Sequence, residues 1–157
     1  MKKLLFVAAA LVLVGSLAAK KYPHPDSGVV VDIPGNWNVS GDEHSLSASS
    51  KDDLAHLHFI VMPADSMEAA LNSLDAELGK VIQGLTHGEA EQIDLNGMQA
   101  VHVDGKGTVE GHGVEVGVMV MKTPKDKVLM VFGLIADQGA KKHHKTLVKI
   151  LKSLKPL

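Results

Sequence analysis

The sequence predicts an α+β domain built on one antiparallel β-sheet flanked by helices. Two observations carry that prediction. Between Gly113 and Ile135, two apolar runs of strand length are joined by a polar turn, Lys122-Thr-Pro-Lys-Asp-Lys127. Around them, short alternating segments bounded by turn residues are interrupted by two stretches of helical spacing, one in the middle of the chain and one at its end.

The 113–135 hairpin is the predicted spine. Val114, Val116, Val118 and Val120 alternate with Glu115, Gly117, Met119 and Met121, so one face is uniformly β-branched and the other mixed. In Leu129–Ile135 both faces are apolar apart from Gly133, the pattern of a central strand covered on both sides.

At the start of the chain, Met1-Lys-Lys3 is a positive region, Leu4–Val14 an apolar run and Ser16–Ala19 a small-residue stretch. Together they read as a secretory signal peptide over residues 1–19, cleaved after Ala18 or Ala19, and place the mature protein in the periplasm or outside the cell. The apolar run is shorter than the ~20 residues of a spanning helix, so no stable membrane span is expected after cleavage. Removing residues 1–19 takes away only Lys2 and Lys3, which moves the net charge from -2 to -4.

Composition narrows the chemistry. There is no Cys, which rules out disulfides, thiolate metal sites, a Cys nucleophile and a lipidated N-terminus. All the basic residues are Lys, and aromatic residues make up 3% of the chain. Without the arginine fork or stacking platforms, nucleic-acid binding is not expected.

Lys20–Gly28 is Pro-rich and polar and reads as a flexible, extended lead; a single domain is expected over residues 29–157. Val29–Pro34 reads as a strand, Pro34-Gly-Asn36 as a turn, and Trp37–Gly41 as the next strand, with Trp37 plugging the core. Ser45–Ser50 is a thin strand, and Leu54–Met62 a strong one. On that strong strand Ala55, Leu57, Phe59 and Val61 share one face, and His56 and His58 the other. Asp65 is the expected N-cap of the first helix, with Glu68 reaching back in a capping box and Leu71, Leu74, Leu78 and Val81 forming its core stripe. Gly84–Gly88 ends it. Asn96-Gly97 between Ala90–Leu95 and Met98–Val103 marks a hairpin, and Gly105–Gly107 and Gly111–Gly113 read as turns. Asp137 is the expected cap of a last helix over about 138–154. Its Leu147, Ile150, Leu151 and Leu154 face the sheet, and its Lys141, Lys145, Lys149 and Lys152 face solvent.

Three stretches now carry a resemblance. Ile33-Pro-Gly-Asn-Trp37, Leu95-Asn-Gly97 and Ile150-Leu-Lys-Ser-Leu-Lys155, in a chain ordered strands, helix, hairpin, hairpin, helix, are similar to the PsbP-like superfamily. That group includes the extrinsic PsbP protein of the oxygen-evolving complex, bacterial periplasmic DcrB-like proteins and a eukaryotic Ran-binding import factor. The resemblance implies an α/β/α sandwich, and an accessory or binding role with a protein partner in the cell envelope. It assigns no site residue.

The sharpest chemical signal is nine histidines. His56 and His58, two apart on a strand, leave one face with Cα atoms roughly 6.5–7 Å apart, a spacing that suits two imidazoles on one metal. Zn²⁺ or Cu²⁺ would want a third or fourth ligand, for which His102 and Asp104 are the candidates. The alternative is that the pair is polar surface on a partly covered face. His143 and His144 lie about 100° apart around a helix and make a poor chelating pair. No GxSxG or HExxH motif occurs, and no Ser/His/Asp grouping is supported by spacing. The expected function is therefore that of an exported, non-catalytic accessory or binding protein. The alternatives are transition-metal binding through His56 and His58, and a small-molecule carrier using the soft face at Met119 and Met121.

Overall fold

The computed structural model describes residues 18–157. Apart from its last two residues, the expected signal peptide lies outside the described residues. The chain runs β1 (Ala19–His24), β2 (Val29–Pro34), β3 (Asn38–Gly41), β4 (Ser45–Ser49), β5 (Ala55–Met62) and α1 (Met67–Leu78). It continues through β6 (Gln83–His87), β7 (Glu91–Leu95), β8 (Met98–Val109), β9 (His112–Lys122) and β10 (Val128–Ala136) to α2 (Asp137–Ser153) and β11 (Lys155–Pro156).

The main sheet is antiparallel, with strand order β3-β4-β5-β10-β9-β8-β6 and β7 also paired to β8. The expected spine, β9 and β10, is its centre, and the register sets the two faces. Val114, Val116, Val118, Val120, Val128 and Met130 pack with Ala70 and Leu74 of α1. On the other face Leu57, Phe59, Met119, Met121, Leu129 and Val131 pack with Leu147 and Ile150 of α2. The α+β prediction, a sheet with a helix on each side, describes the molecule.

The α2 layer is thickened by a second sheet of order β1-β2-β11. Its β2 sends Val29, Val31 and Ile33 into the α2-side core, where Trp37 also sits, edge-on to the His143 ring at 6.2 Å. Residues 20–28 are extended but not free. Lys20–His24 pair with β2, and Lys125 Nζ donates to the Pro25 carbonyl (2.6 Å), so this lead is an integral strand and turn. Its polar composition concealed the strand, because β1 is mostly exposed and pairs with β2 through its backbone.

Other local readings shift for identifiable reasons. Ser66, not Asp65, caps α1: its backbone is extended and its Oγ accepts from Ala69 N (3.1 Å), which leaves Glu68 one position early for a capping box. The helix stops at Leu78, and Val81 is exposed. Gly105 and Gly107 are not turn residues but lie within β8. A Cβ at Gly105 would sit 2.9 Å from the Thr86 carbonyl oxygen, and one at Gly107 would collide with Ile82. These glycines let β6 lie against β8, and β6 itself was concealed because Gln83–His87 shows no alternation. Asn96-Gly97 does form the β7–β8 turn, with φ of 52° and 87°. Asp137 is the first residue of α2 rather than its cap, which is Ala136. The α2 lysines are exposed as expected.

Candidate functional site

Helix α1 sits over β9 and β10 and leaves the same face of β3, β4 and β5 without a helix. Strand register puts Asn38 and Ser40, Ser45, Ser47 and Ser49, and His56, His58 and Ile60 together there. Alternation explains the arrangement: the intervening Leu46, Ala48, Leu57 and Phe59 turn into the α2-side core. What remains is an open platform of hydroxyls, an amide and two imidazoles, with Ile60 its exposed apolar residue at 37%.

The imidazoles are held in place. His58 Nδ1 is 2.9 Å from Ser47 Oγ, and its ring stacks on Phe132 with centroids 6.2 Å apart. Burial, with His56 beside it, pushes the His58 pKa down, so this ring is neutral at neutral pH. His56 Nε2 donates to the Asp53 carbonyl (3.0 Å), because a carbonyl can only accept.

His102 does not join them. Its register opposite Met119, with Asp104 opposite Gly117, puts both on the α2 face. His56 and His58 are on the α1 face, and β10 and β9 intervene. The sheet itself separates the expected third ligand from the pair. His102 Nε2 instead pairs with Asp104 Oδ1 at 3.2 Å. Among the described residues no group of three or more His, Asp or Glu is placed to hold a metal. A sequence shows which residues share a face within one strand; which face a distant strand presents depends on turn geometry in between.

The soft spine face is also different in detail. Met119 and Met121 are 3% and 0% exposed, packed as core. A hollow of about 180 Å³ does lie under α2, but over Gly117 and Gly133 rather than over the methionines.

Two charged clusters fasten the molecule. Asp52 accepts from Ser50 Oγ (2.7 Å), Lys142 Nζ (2.6 Å) and His143 Nε2 (2.9 and 3.0 Å). The Lys142 bond first, then Ser50 and His143, holds its carboxyl well below the usual carboxylate range. This Ser/His/Asp grouping is not a catalytic triad. Serine and histidine both donate to the carboxylate instead of to each other, and Ser50 is buried while accepting from Leu54 N and Ala55 N. It clamps the β4–β5 turn to α2. In the second cluster Asp26 binds Lys127 and His44 Nδ1 (2.9 Å), which lowers its pKa to about 2 and raises that of His44. Nearby His24 is 2% exposed, and its Nε2 has no hydrogen-bond partner among the described residues; burial lowers its pKa.

No family model matches the chain, and no curated protein matches it in sequence. Solved structures do. Cyanobacterial PsbP (CyanoP) from Synechocystis superposes with a TM-score of 0.64 at 12% identity, covering 92% of this chain and 95% of that one. The fold is PsbP-like. LpqN of Mycobacterium tuberculosis, described as involved in cell envelope biogenesis, gives 0.56 at 14% identity over 87% of this chain and 89% of its own. The Ran-binding protein Mog1p of Saccharomyces cerevisiae gives 0.54 at 7% identity over 88% and 95%. At such identities the likeness is one of PsbP-like architecture, the layered sheet and two helices, and the sequence resemblance read from Ile33–Trp37 and the later stretches points to that same architecture. Among the described residues, no helix is long and apolar enough to cross a membrane.

Proposed function

We propose that this PsbP-like protein is an exported, non-catalytic accessory protein of the cell envelope that holds a protein partner on the open face of β3, β4 and β5. The observation that carries the reading is the platform itself: the β3–β4–β5 end of one sheet face has no covering helix, yet presents short hydrogen-bonding side chains, with the exposed Ile60 at its margin. Hydrogen-bonding groups beside an exposed apolar residue suit a non-obligate interface, whose surface is mixed in the same way. LpqN is described as involved in cell envelope biogenesis and Mog1p as Ran-binding, and both descriptions are compatible with this reading. Export rests on the signal peptide read in residues 1–19, with cleavage expected after Ala18 or Ala19.

The test is site-specific crosslinking in intact cells. A photoreactive residue at Ser47 is expected to trap a discrete envelope protein, and the same residue at Lys145, on the solvent face of α2, is not. Identical products from both positions, or turnover of a substrate by the purified protein, would count against the reading.

A second reading, binding of Zn²⁺ or Cu²⁺, rests on His56 and His58 leaving one open face. With two imidazoles and, among the described residues, no group of three or more placed to hold a metal, the expected binding is weak and is lost in His56→Ala/His58→Ala. Calorimetric titration that gave the double variant the affinity of the parent would remove it.

A further inference from the structure

We propose that the hollow under α2 is a binding site for a small aromatic amine, with its ring over Gly117 and Gly133 and its ammonium at the acidic mouth formed by Glu115 and Asp104. This site is on the opposite face of the sheet from the partner platform, and the two proposals stand or fall separately.

The hollow exists because two neighbouring strands omit a side chain at the same level. Gly117 of β9 is directly opposite Gly133 of β10, and the line continues to Leu57 on one side and Asp104 on the other. Helix α2 passes above with Leu147 and Leu151, so the floor is backbone and the roof aliphatic, while His102 and His144 line the side towards the carboxylates. Its volume of about 180 Å³ suits one ring; an apolar cavity of about 150 Å³ accepts benzene.

The two glycines are not equivalent. A Cβ at Gly133 would come within 3.2 Å of Leu57 Cδ2, so packing within the chain accounts for that residue. A Cβ at Gly117 would meet only Asp104 Oδ1 at 3.5 Å and His102 Nε2 at 3.7 Å, which are ordinary contacts. Its backbone is extended, in the middle of a central strand, where glycine is disfavoured and β-branched residues are preferred. Among the described residues none fills that space, and a glycine in a strand interior often marks the close approach of a ligand.

The mouth gives the ligand its sign. Asp104 is largely exposed and pairs only with His102 at 3.2 Å. Glu115 has two distant partners, Lys106 Nζ at 3.9 Å and His144 Nδ1 at 4.0 Å, so its oxygens keep free acceptor capacity. Two carboxylates face one lysine, so with its two imidazoles uncharged the mouth is net negative. A cation is favoured there and an anion repelled. A ring that fits the hollow, joined by a short linker to an ammonium, meets both requirements.

The experiment is an NMR titration of the whole protein at about pH 8, above the ordinary imidazole range, with 2-phenylethylamine and, in parallel, with 3-phenylpropionate. The amine is expected to give saturable shifts centred on Gly117, Gly133 and α2, and the carboxylate to bind at least about tenfold more weakly, a difference of roughly one charge contact. Gly117→Val, which fills the hollow with a residue suited to a strand, should abolish the shifts without lowering the melting temperature. Glu115→Gln should weaken binding severalfold and covers the case in which the valine variant misfolds. Shifts that never saturate, equal binding of the carboxylate, or parental affinity in a folded Gly117→Val would each overturn the proposal.

Discussion

The two faces of the central sheet are finished differently. On one, α2 runs for 17 residues, buries Gly139, His143, Leu147 and Ile150, and is joined by the small sheet, whose β2 contributes Val29, Val31 and Ile33. On the other, α1 runs for 12 residues, buries Ala70 and Leu74, and leaves β3, β4 and β5 uncovered. The closed face carries stability, and the half-covered face is available for contact. Where the closed face has room at all, it is because a side chain is missing at Gly117 rather than because a layer is missing.

The most direct way to break that contrast is to truncate one residue from each core. Phe59→Ala, on the closed face and 1% exposed, should lose about 3–5 kcal/mol, the usual range for emptying such a site. Leu71→Ala, on a half-buried flank of α1, should lose roughly 1 kcal/mol, since much of that side chain already meets water. Urea unfolding of both variants measures the difference. Similar losses would mean that α1 is as firmly seated as α2.

Acid separates the faces in a second way. Asp52 and Asp26 have folded pKa values below their unfolded ones, so their stabilisation is complete above the ordinary carboxylate range, about pH 4, and fades as pH falls towards the folded values, about 2 for Asp26. His24 and His58 are also lowered. As bases kept neutral by burial, they stabilise the fold fully above about pH 6.5 and less as pH falls below it. His44 is raised and acts in the opposite sense: its contribution is present below about pH 6.5 and lost as pH rises through its folded value. Stability should therefore decline in two stages on acidification. Asp52→Asn should lower stability at neutral pH and flatten the lower stage, because Asp52 clamps α2 to the β4–β5 turn. His24→Gln should flatten the upper one. Denaturation followed from pH 8 to pH 3 measures both, and an unchanged profile in Asp52→Asn would show that the clamp does not fasten the closed face.

These contrasts also show what the sequence could and could not display. The spine was legible because β9 and β10 alternate over long runs, and Asn96-Gly97 because a two-residue turn with positive φ has few suitable residues. Trp37 was legible as core. The β1 strand was not, because it is mostly exposed and pairs through its backbone, so its residues show no apolar alternation; the Asp52 cluster was not, because Asp52 meets His143 only after the sheet and α2 are assembled. The His56/His58 face was legible from parity within one strand. That His102 belongs to the other face was not, since parity between strands is set by the turns and bulges between them. The α1 stripe pointed to core at Leu71, Leu78 and Val81, yet a short helix over a wide sheet cannot bury them all.

The smallest stability effect belongs to the open platform, and it sharpens the comparison most. Ser47 and Ile60 project from β4 and β5 toward solvent, and no helix packs on them. Replacing both, Ser47→Arg with Ile60→Ser, removes the Ser47–His58 hydrogen bond and one exposed apolar contact. Neither substitution opens a core cavity, so unfolding stability should fall by no more than about 1 kcal/mol, the usual net worth of the lost hydrogen bond. If the platform holds a partner, the same variant should lose that partner in a competition between parent and variant for a common envelope extract. Interfaces depend on a few contacts, and the pair removes Ser47 from the middle of the platform and its exposed apolar residue, Ile60, from the margin. A double variant that is as stable as the parent and keeps the partner would show that the uncovered half of the sheet is only exposed surface, and would move the search for function to the closed face and the hollow at Gly117.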